Sequence, residues 1–333
     1  MPLLNSDIPE LSGFDTAICL SNLDLLGQRQ DRVSESVLAV LSELADAILQ
    51  DAGGDPDTVD SILLSLQSFP ESDPGDDGHM PITVARINRD FIRRMTARSG
   101  LYTRLLLYRL LEERLPASEA EVSPSPLPAT VRGRVAYMSG ALADKAYLRL
   151  TALLKAPRAA ATVSFVDACE EVHSGLCEYC ILPLENTHSG RLNAFTRLIL
   201  RYRLQVVAVC DLENGAAEGQ ATRFALLHAA DENRFPAPLS HSPAGEPLYL
   251  DLIHITESPA LTDLLIAAEF CEMTVCRVDT LPAFDELGFP DDEGSARAVA
   301  CVLNTAGGDL ATFRRFLSLE AREDILTGFY GTV

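Results

Sequence analysis

The chain has 333 residues, 47% of them hydrophobic and 23% charged, which suffices for two or three domains that each bury a core. Its 48 acidic against 27 basic residues give a formal charge of -21; so acidic a surface repels phosphate backbones and anionic lipid, so no nucleic acid and no membrane is expected among its partners. No apolar run approaches the ~20 residues of a membrane span, and the first residues lack a basic segment followed by an apolar one, so a cytoplasmic protein is expected.

Residues 1–118 read as helical. Val37, Leu38, Leu41, Leu44, Ala45 and Ile48 recur at helical spacing across 34–50. Asp55-Pro56-Asp57 looks like a helix start with proline in the first turn, leading into Val59, Ile62, Leu63 and Leu66. A polar loop follows from Ser68 to His79, and then a long helix is predicted from Ile82 to Arg114. Charge separates here: eight acidic residues and no basic one lie between Asp51 and Gly78, and eight arginines between Arg86 and Arg114. Either the arginines pair with that acidic segment on a solvated helix, or they form an anion site, because guanidinium forks match carboxylates. Residues 119–130, with Ser-Pro-Ser-Pro inside them, read as a linker.

Residues 131–235 alternate strands and helices. Strands are predicted at Arg134–Met138, Thr162–Phe165, Tyr179–Leu182, Gln205–Cys210 and Phe224–Leu227, with helices at Ala143–Leu154, Val166–Ser174 and Asn193–Tyr202. That alternation implies an α/β layer with a largely parallel sheet, whose ligands bind at the carboxyl ends of strands. Residues 240–333 give strands at Leu248–Thr256, Met273–Asp279, Ala298–Leu303 and Ile325–Tyr330, and helices at Pro259–Glu269 and Asp309–Leu319, an order of βαββαβ.

Cysteines suit a reducing compartment, since Cys19, Cys210, Cys276 and Cys301 sit in apolar runs where a thiol acts as a small hydrophobe. Cys177-Glu178-Tyr179-Cys180, near Cys169 and His173, has metal or redox spacing, but a single C-x-x-C lacks a partner pair. Core packing is the expected role, with no metal and no cofactor.

Two segments carry chemistry. Leu182-Pro183-Leu184-Glu185-Asn186-Thr187-His188-Ser189-Gly190 turns from an apolar strand to a carboxylate, an amide and hydroxyls, and Ala221-Thr222-Arg223-Phe224 sets a hydroxyl and a guanidinium at the start of another strand. Together they resemble the P-I-E-N-S-x-x-G and T-R-F patterns of the prephenate dehydratase family. The resemblance implies that Thr222 acts as general acid while hydroxide and carbon dioxide leave. It also implies that Arg223 binds carboxylate and that Glu185, Asn186, Ser189 and Phe224 shape the pocket. Upstream, Asn88, Phe91, Ile92, Met95, Arg98, Leu101 and Arg109 resemble the first helix of the all-helical chorismate mutases, which implies catalytic roles for Arg98 and Arg109. Downstream, the βαββαβ order resembles an ACT domain: Ser258-Pro259-Ala260-Leu261 stands for its P-G-A-L, and Val278-Asp279-Thr280-Leu281-Pro282 for its E-S-R-P. Pro259, Ala260, Leu261 and Asp279 would then meet an amino-acid effector, and edge-to-edge pairing implies a homodimer. His254 is expected to face the sheet rather than a ligand.

Mutase-like helices, dehydratase-like layer and ACT-like unit follow one another as in the bifunctional P-protein family of phenylalanine synthesis, which implies action on chorismate or prephenate. Yet only about ten residues, Asp211 to Gln220, lie between the strand that follows the first segment (Gln205–Cys210) and the strand of the second, where the family has a second lobe. A one-walled cleft cannot exclude water in the usual manner. The alternatives are a non-catalytic regulatory or ligand-binding homologue that lost the dehydratase cleft, and a different reaction on a prephenate-like acid.

Overall fold

The computed structural model describes residues 35, 37–67, 100–115, 133–213, 220–230, 248–255, 261–281, 298–321 and 324–333. Three helices come first: α1 (residues 37–52), α2 (Pro56–Gln67) and α3 (Leu101–Arg114). The start of α2 follows from its sequence. Asp55 Oδ2 accepts the Thr58 backbone N–H at 3.0 Å, Pro56 supplies a pre-set φ without a wasted donor, and the two hydrogen bonds from Thr58 hold the Asp55 carboxyl below its ordinary range.

Strands β1 (Arg134–Met138), β2 (Arg158–Thr162), β3 (Tyr179–Asn186), β4 (Gly190–Arg191), β5 (Leu204–Glu213) and β6 (Ala221–Ala229) alternate with α4 (Ala141–Thr151), α5 (Phe165–His173) and α6 (Asn193–Arg201). Then come β7 (Tyr249–Ile255), α7 (Leu261–Phe270), β8 (Thr274–Thr280), β9 (Ala298–Asn304), α8 (Leu310–Glu320) and β10 (Ile325–Thr332). The predicted βαββαβ order is reproduced, and its strands lie in the order β10-β7-β9-β8 with antiparallel neighbours, a ferredoxin-like arrangement.

The predicted largely parallel sheet is corrected to a mixed one. Only β1–β2, β1–β3 and β5–β10 pair in parallel; the pairs β3–β4, β3–β6, β5–β6, β7–β10, β7–β9 and β8–β9 are antiparallel. The physical reason is the short link after β5. Seven residues between Glu213 and Ala221 return the chain as a hairpin, with Glu213 opposite Ala221, where a crossover to a parallel neighbour needs a dozen or more. Strand β2 starts four residues earlier than predicted, on Arg158–Ala161, because an alanine run carries little strand signal.

Among the described residues one sheet carries all ten strands, in the order β2-β1-β3-β6-β5-β10-β7-β9-β8 with β4 beside β3. The junction between its halves is β5–β10, where Gly328 lies opposite Val206; a Cβ there would stand 2.7 Å from Val206 Cβ, so only glycine fits without movement. On one face, α4 packs over Val135, Ile181, Cys210 and Leu226. On the same side of the second half, α1, α2, α3, α7 and α8 share a core with Leu250, Leu252, Cys301, Leu303 and Phe329. Helices α5 and α6 cover the other face, where Leu200 of α6 reaches Ile253, Ala298 and Ala300.

Ion pairs tie the first three helices to the last. Arg104 donates to Glu320 through Nε at 2.6 Å and Nη2 at 2.7 Å, and Tyr108 Oη donates to the same carboxylate. Arg315, on α8, pairs with Glu112 of α3 and Asp60 of α2. Arg114 meets Asp46 and the Ser42 carbonyl. Arg104 and Arg114 of the basic segment thus find carboxylate partners on α8 and α1, and Asp60 of the acidic segment meets Arg315 instead. Arg86, Arg89, Arg93, Arg94 and Arg98 lie outside the described residues.

Among the described residues seven cysteines are free thiols, and six of them are buried; Cys276 is exposed on edge strand β8, which corrects its expected core position. Cys177 Sγ donates to Glu171 at 2.9 Å, and burial and that carboxylate push its thiol up to about 12, so it stays protonated near neutral pH.

Candidate functional site

Glu185 is the centre of the site, and local geometry explains why the chain presents it. Beyond it, Asn186 Oδ1 accepts the backbone N–H groups of His188 and Ser189 at 3.1 and 2.6 Å and the Ser189 hydroxyl at 2.7 Å. Thr187 Oγ1 accepts the Ala221 N–H, and Gly190 takes the left-handed φ of +68° that closes the turn into β4. Asn186, Thr187, Ser189 and Gly190 therefore build a turn that holds the strand end, and the carboxylate before it is left to act.

Strand register then sorts the predicted residues. Glu185 pairs with Arg223 and Arg223 with Asp211, whereas Asn186 pairs with Thr222 and Thr222 with Leu212. Side chains alternate along a strand, so Glu185, Arg223 and Asp211 share the α6 face, and Thr222 and Asn186 belong to the α4 face. Phe224 is buried on that second face among Cys210, Leu212 and Leu226.

On the α6 face, Arg223 grips Asp211 in a fork, Nε–Oδ1 at 2.8 Å and Nη2–Oδ2 at 2.9 Å, and its Nη1 lies 3.6 Å from Glu185. Hydrogen bonding to Asp211 holds this guanidinium far above its ordinary range, overcoming its partial burial. Glu185 receives a second guanidinium from across the molecule: Arg277 Nη1 stands 2.7 Å from Glu185 Oε2, and Arg277 Nε bonds Asp279. Six strand spacings separate β3 from β8, roughly 29 Å if the sheet were flat. That contact therefore requires the sheet to coil until its far edge faces its middle.

A second charge pair crosses the same concave face. Arg191, one residue past the turn, meets Asp251 of β7 with Nη1–Oδ1 at 3.1 Å and Nη2–Oδ2 at 3.0 Å, the two side chains being only 7% and 3% exposed. Burial opposes the charge of Arg191, but Asp251 more than offsets it and raises the guanidinium above its ordinary value. Tyr330 of β10 lies among these groups. Burial, then the charges of Asp251 and Glu185, push its phenol far above its usual range, so it remains a neutral hydroxyl at any physiological pH.

The structure thus brings Glu185, Arg223 and Asp279 together. Sequence reasoning missed Asp211, Arg277, Arg191, Asp251 and Tyr330. The available signal was a charge inside an apolar run, as in Leu250-Asp251-Leu252 and Val275-Cys276-Arg277-Val278: such a residue needs an opposite partner if the strand is buried.

Other predicted residues go elsewhere. Arg109 bonds Asp309 through Nε at 3.2 Å and the Phe270 carbonyl through Nη2 at 2.8 Å, with its guanidinium 4.3 Å from the Phe270 ring centroid. Leu261 starts α7, half-buried against the helical core. Arg98, Pro259 and Ala260 lie outside the described residues. His254 is wholly buried and holds Asp324 through Nδ1 at 2.9 Å. Among the described residues no cluster of His, Cys, Asp or Glu could hold a metal ion, and no helix is long and apolar enough to cross a membrane.

No protein-family model matches the chain, and no curated protein matches it. Solved structures with a similar fold exist at low identity. A prephenate dehydratase from Streptococcus mutans aligns over 60% of this chain and 98% of its own, with TM-score 0.45 and 14% identity. GqqA, described as a novel type of quorum-quenching acylase, aligns over 61% and 97%, with TM-score 0.44 and 16% identity. The prephenate dehydratase of Arthrobacter aurescens, in complex with L-Phe, aligns over 60% and 90%, with TM-score 0.41 and 10% identity. Likenesses this faint carry no functional argument, which must come from the charged site.

Proposed function

We propose that this chain is a non-catalytic, small-molecule-binding regulator that keeps a dehydratase-like sheet without a dehydratase cleft. The observation that carries this reading is that the guanidiniums of the site are already held by the chain's own carboxylates. Arg191, Arg223 and Arg277 face Glu185, Asp211, Asp251 and Asp279, one negative charge in excess. Prephenate is a dianion; adding it to a net-negative cluster is opposed by repulsion, and Arg223 would have to surrender a bidentate partner to receive it.

Two features support the same reading. The chain returns from β5 to β6 as a hairpin, with Glu213 opposite Ala221, which leaves seven residues where the resembled family has a second lobe, and Thr222 stands on the opposite face from Arg223 and Glu185. A general acid must come within hydrogen-bond reach of the leaving group that the same pocket holds. For mutase chemistry, two of the three Arg109 nitrogens are bound to Asp309 and a backbone carbonyl, which fixes α3 against α7 and α8.

The test is turnover. Purified protein at high concentration is mixed with prephenate, and phenylpyruvate is followed without acid treatment; a chorismate sample is run beside it. The expected result is no product above the uncatalysed background, with Arg223→Ala and Thr222→Ala indistinguishable from wild type. Phenylpyruvate formation that disappears in either variant would overturn the proposal.

A further inference from the structure

Independently of whether the chain turns over any substrate, we infer that the outer edge of β2 is a docking site for an acidic, extended segment of a partner protein, which adds to the sheet as a further strand. β2 stands at the end of the strand order, and among the described residues it pairs with β1 on its inner side and with nothing on its outer side. The Arg158 backbone N–H donates to the Gly133 carbonyl at 2.8 Å. In a parallel pair such bonds alternate along the strand, so Arg158, Ala160 and Thr162 turn their peptide groups to β1. Ala159 and Ala161 then turn theirs outward, as unpaired donors and acceptors for another chain.

Native sheets guard an edge with charge, proline or a bulge at its centre. Here both outward positions are exposed alanines, opposite Val135 and Tyr137 on the α4 face. Helix α4 packs over β1, β3, β5 and β6, so those methyls stay bare. Tyr137 and Tyr147 stack beside them with ring centroids 4.9 Å apart. Just past the strand, Val163 is 92% exposed. This shelf of methyls bounded by a tyrosine pair suits branched aliphatic side chains at alternate positions of an added strand.

Charge selects the partner. The chain totals -21 and holds only two lysines, Lys145 and Lys155, and both stand here. From Gly133 to Ser164 there are five basic residues, Arg134, Lys145, Arg149, Lys155 and Arg158, all exposed, against the single acidic Asp144. Asp144 is turned to its own helix start, 3.0 Å from the Ser139 hydroxyl. Lys155 and Arg158 flank the start of β2 and meet no carboxylate among the described residues. Self-pairing of β2 about a two-fold axis would bring two such basic patches together, which repulsion opposes, whereas an acidic segment is drawn in and held in register.

The experiment uses the full chain and a fluorescein-labelled peptide of alternating valine and threonine flanked by glutamates, followed by fluorescence anisotropy. Control peptides carry lysines in place of the glutamates, or N-methylated amides in the middle. The glutamate peptide should bind saturably and slow hydrogen exchange across residues 158–163, with each control about tenfold or more weaker. Ala161→Pro removes an outward N–H and no bond to β1, so the fold stands while binding is lost. The double variant Lys155→Glu, Arg158→Glu should weaken the glutamate peptide about tenfold and improve the lysine peptide; circular dichroism checks the folding of both variants. Failure of the glutamate peptide to bind wild type overturns the inference, as does binding to Ala161→Pro at wild-type strength or equal binding of the lysine peptide. Sedimentation that finds dimers of wild type but monomers of Ala161→Pro overturns it in favour of a second copy of the chain.

Discussion

Replacing Arg191 by methionine is the sharpest test of how the two halves of the sheet are held. The methionine stem fills the volume of the arginine stem but leaves Asp251, 3% exposed, without its partner. Three nitrogen–oxygen contacts between 3.0 and 3.2 Å are lost, together with a 3.3 Å bond from Nε to Thr196. Breaking a buried pair by removing one member costs about 3–5 kcal/mol, because the remaining charge stays desolvated. For a cooperative unit of this size each kcal/mol lowers the Tm by roughly 2–4 °C, so Arg191→Met should melt about 6–20 °C below wild type. Urea titration followed by circular dichroism gives the free energy directly. The double variant Arg191→Met with Asp251→Leu should recover most of the loss, since apolar replacement of a buried pair is often neutral or stabilising. A single variant that costs less than ~1 kcal/mol, or a double variant that costs the sum of the singles, would refute the argument that Asp251 depends on Arg191.

Two further outcomes concern packing and pH. Gly328→Ala places a methyl 2.7 Å from Val206 Cβ and 3.1 Å from its carbonyl, and should destabilise by about 1–3 kcal/mol as the β5–β10 junction shifts; an unchanged urea midpoint would show that the junction yields freely. Burial raises the thiols of Cys177, Cys271 and Cys301 to about 12 and that of Cys210 to about 11. In the unfolded chain they ionise near 8.5, so below that pH their contribution is fully present, and stability falls as pH rises from there towards 12. Each thiol ionised only in the unfolded state contributes a slope of roughly 1.4 kcal/mol per pH unit. Urea midpoints should be level from pH 7 to 8 and drop steeply by pH 10; a level profile to pH 10.5 would contradict the burial of these groups.

Much of the fold was legible because periodicity reports burial. Leu41, Leu44, Ala45 and Ile48 are all buried at the predicted helical spacing, whereas Leu38, at the margin of the stripe, is 46% exposed. The alternation of strands with helices located nine of the ten strands within a few residues, but not their directions. Direction depends on where a connection lands, and the seven-residue link after β5 forces a hairpin that no periodicity announces. The site was half legible. Glu185 and Arg223 follow from a strand that stops abruptly in polar residues, yet neighbouring positions such as Glu185 and Asn186 face opposite sides, so a motif read as one pocket divides in two. Arg277 and Asp251 lie far from Glu185 and Arg191 in sequence, and only the coil of the sheet brings them across.

The β5–β10 pairing has a consequence for how the molecule assembles. Strand β10 sits in mid-sheet, with β5 on one side and β7 on the other, and more than a hundred residues of chain separate it from β5. Closing so long a loop consumes chain entropy before any strand contact repays it, and non-local pairings of this kind fold slowly. Until β10 arrives, β5 and β7 each expose an unpaired row of backbone donors and acceptors, an open template for other chains. The same strand that unites the sheet thus sets the interval during which the protein is most prone to aggregate, and a chaperone that shields those two edges would act on this step.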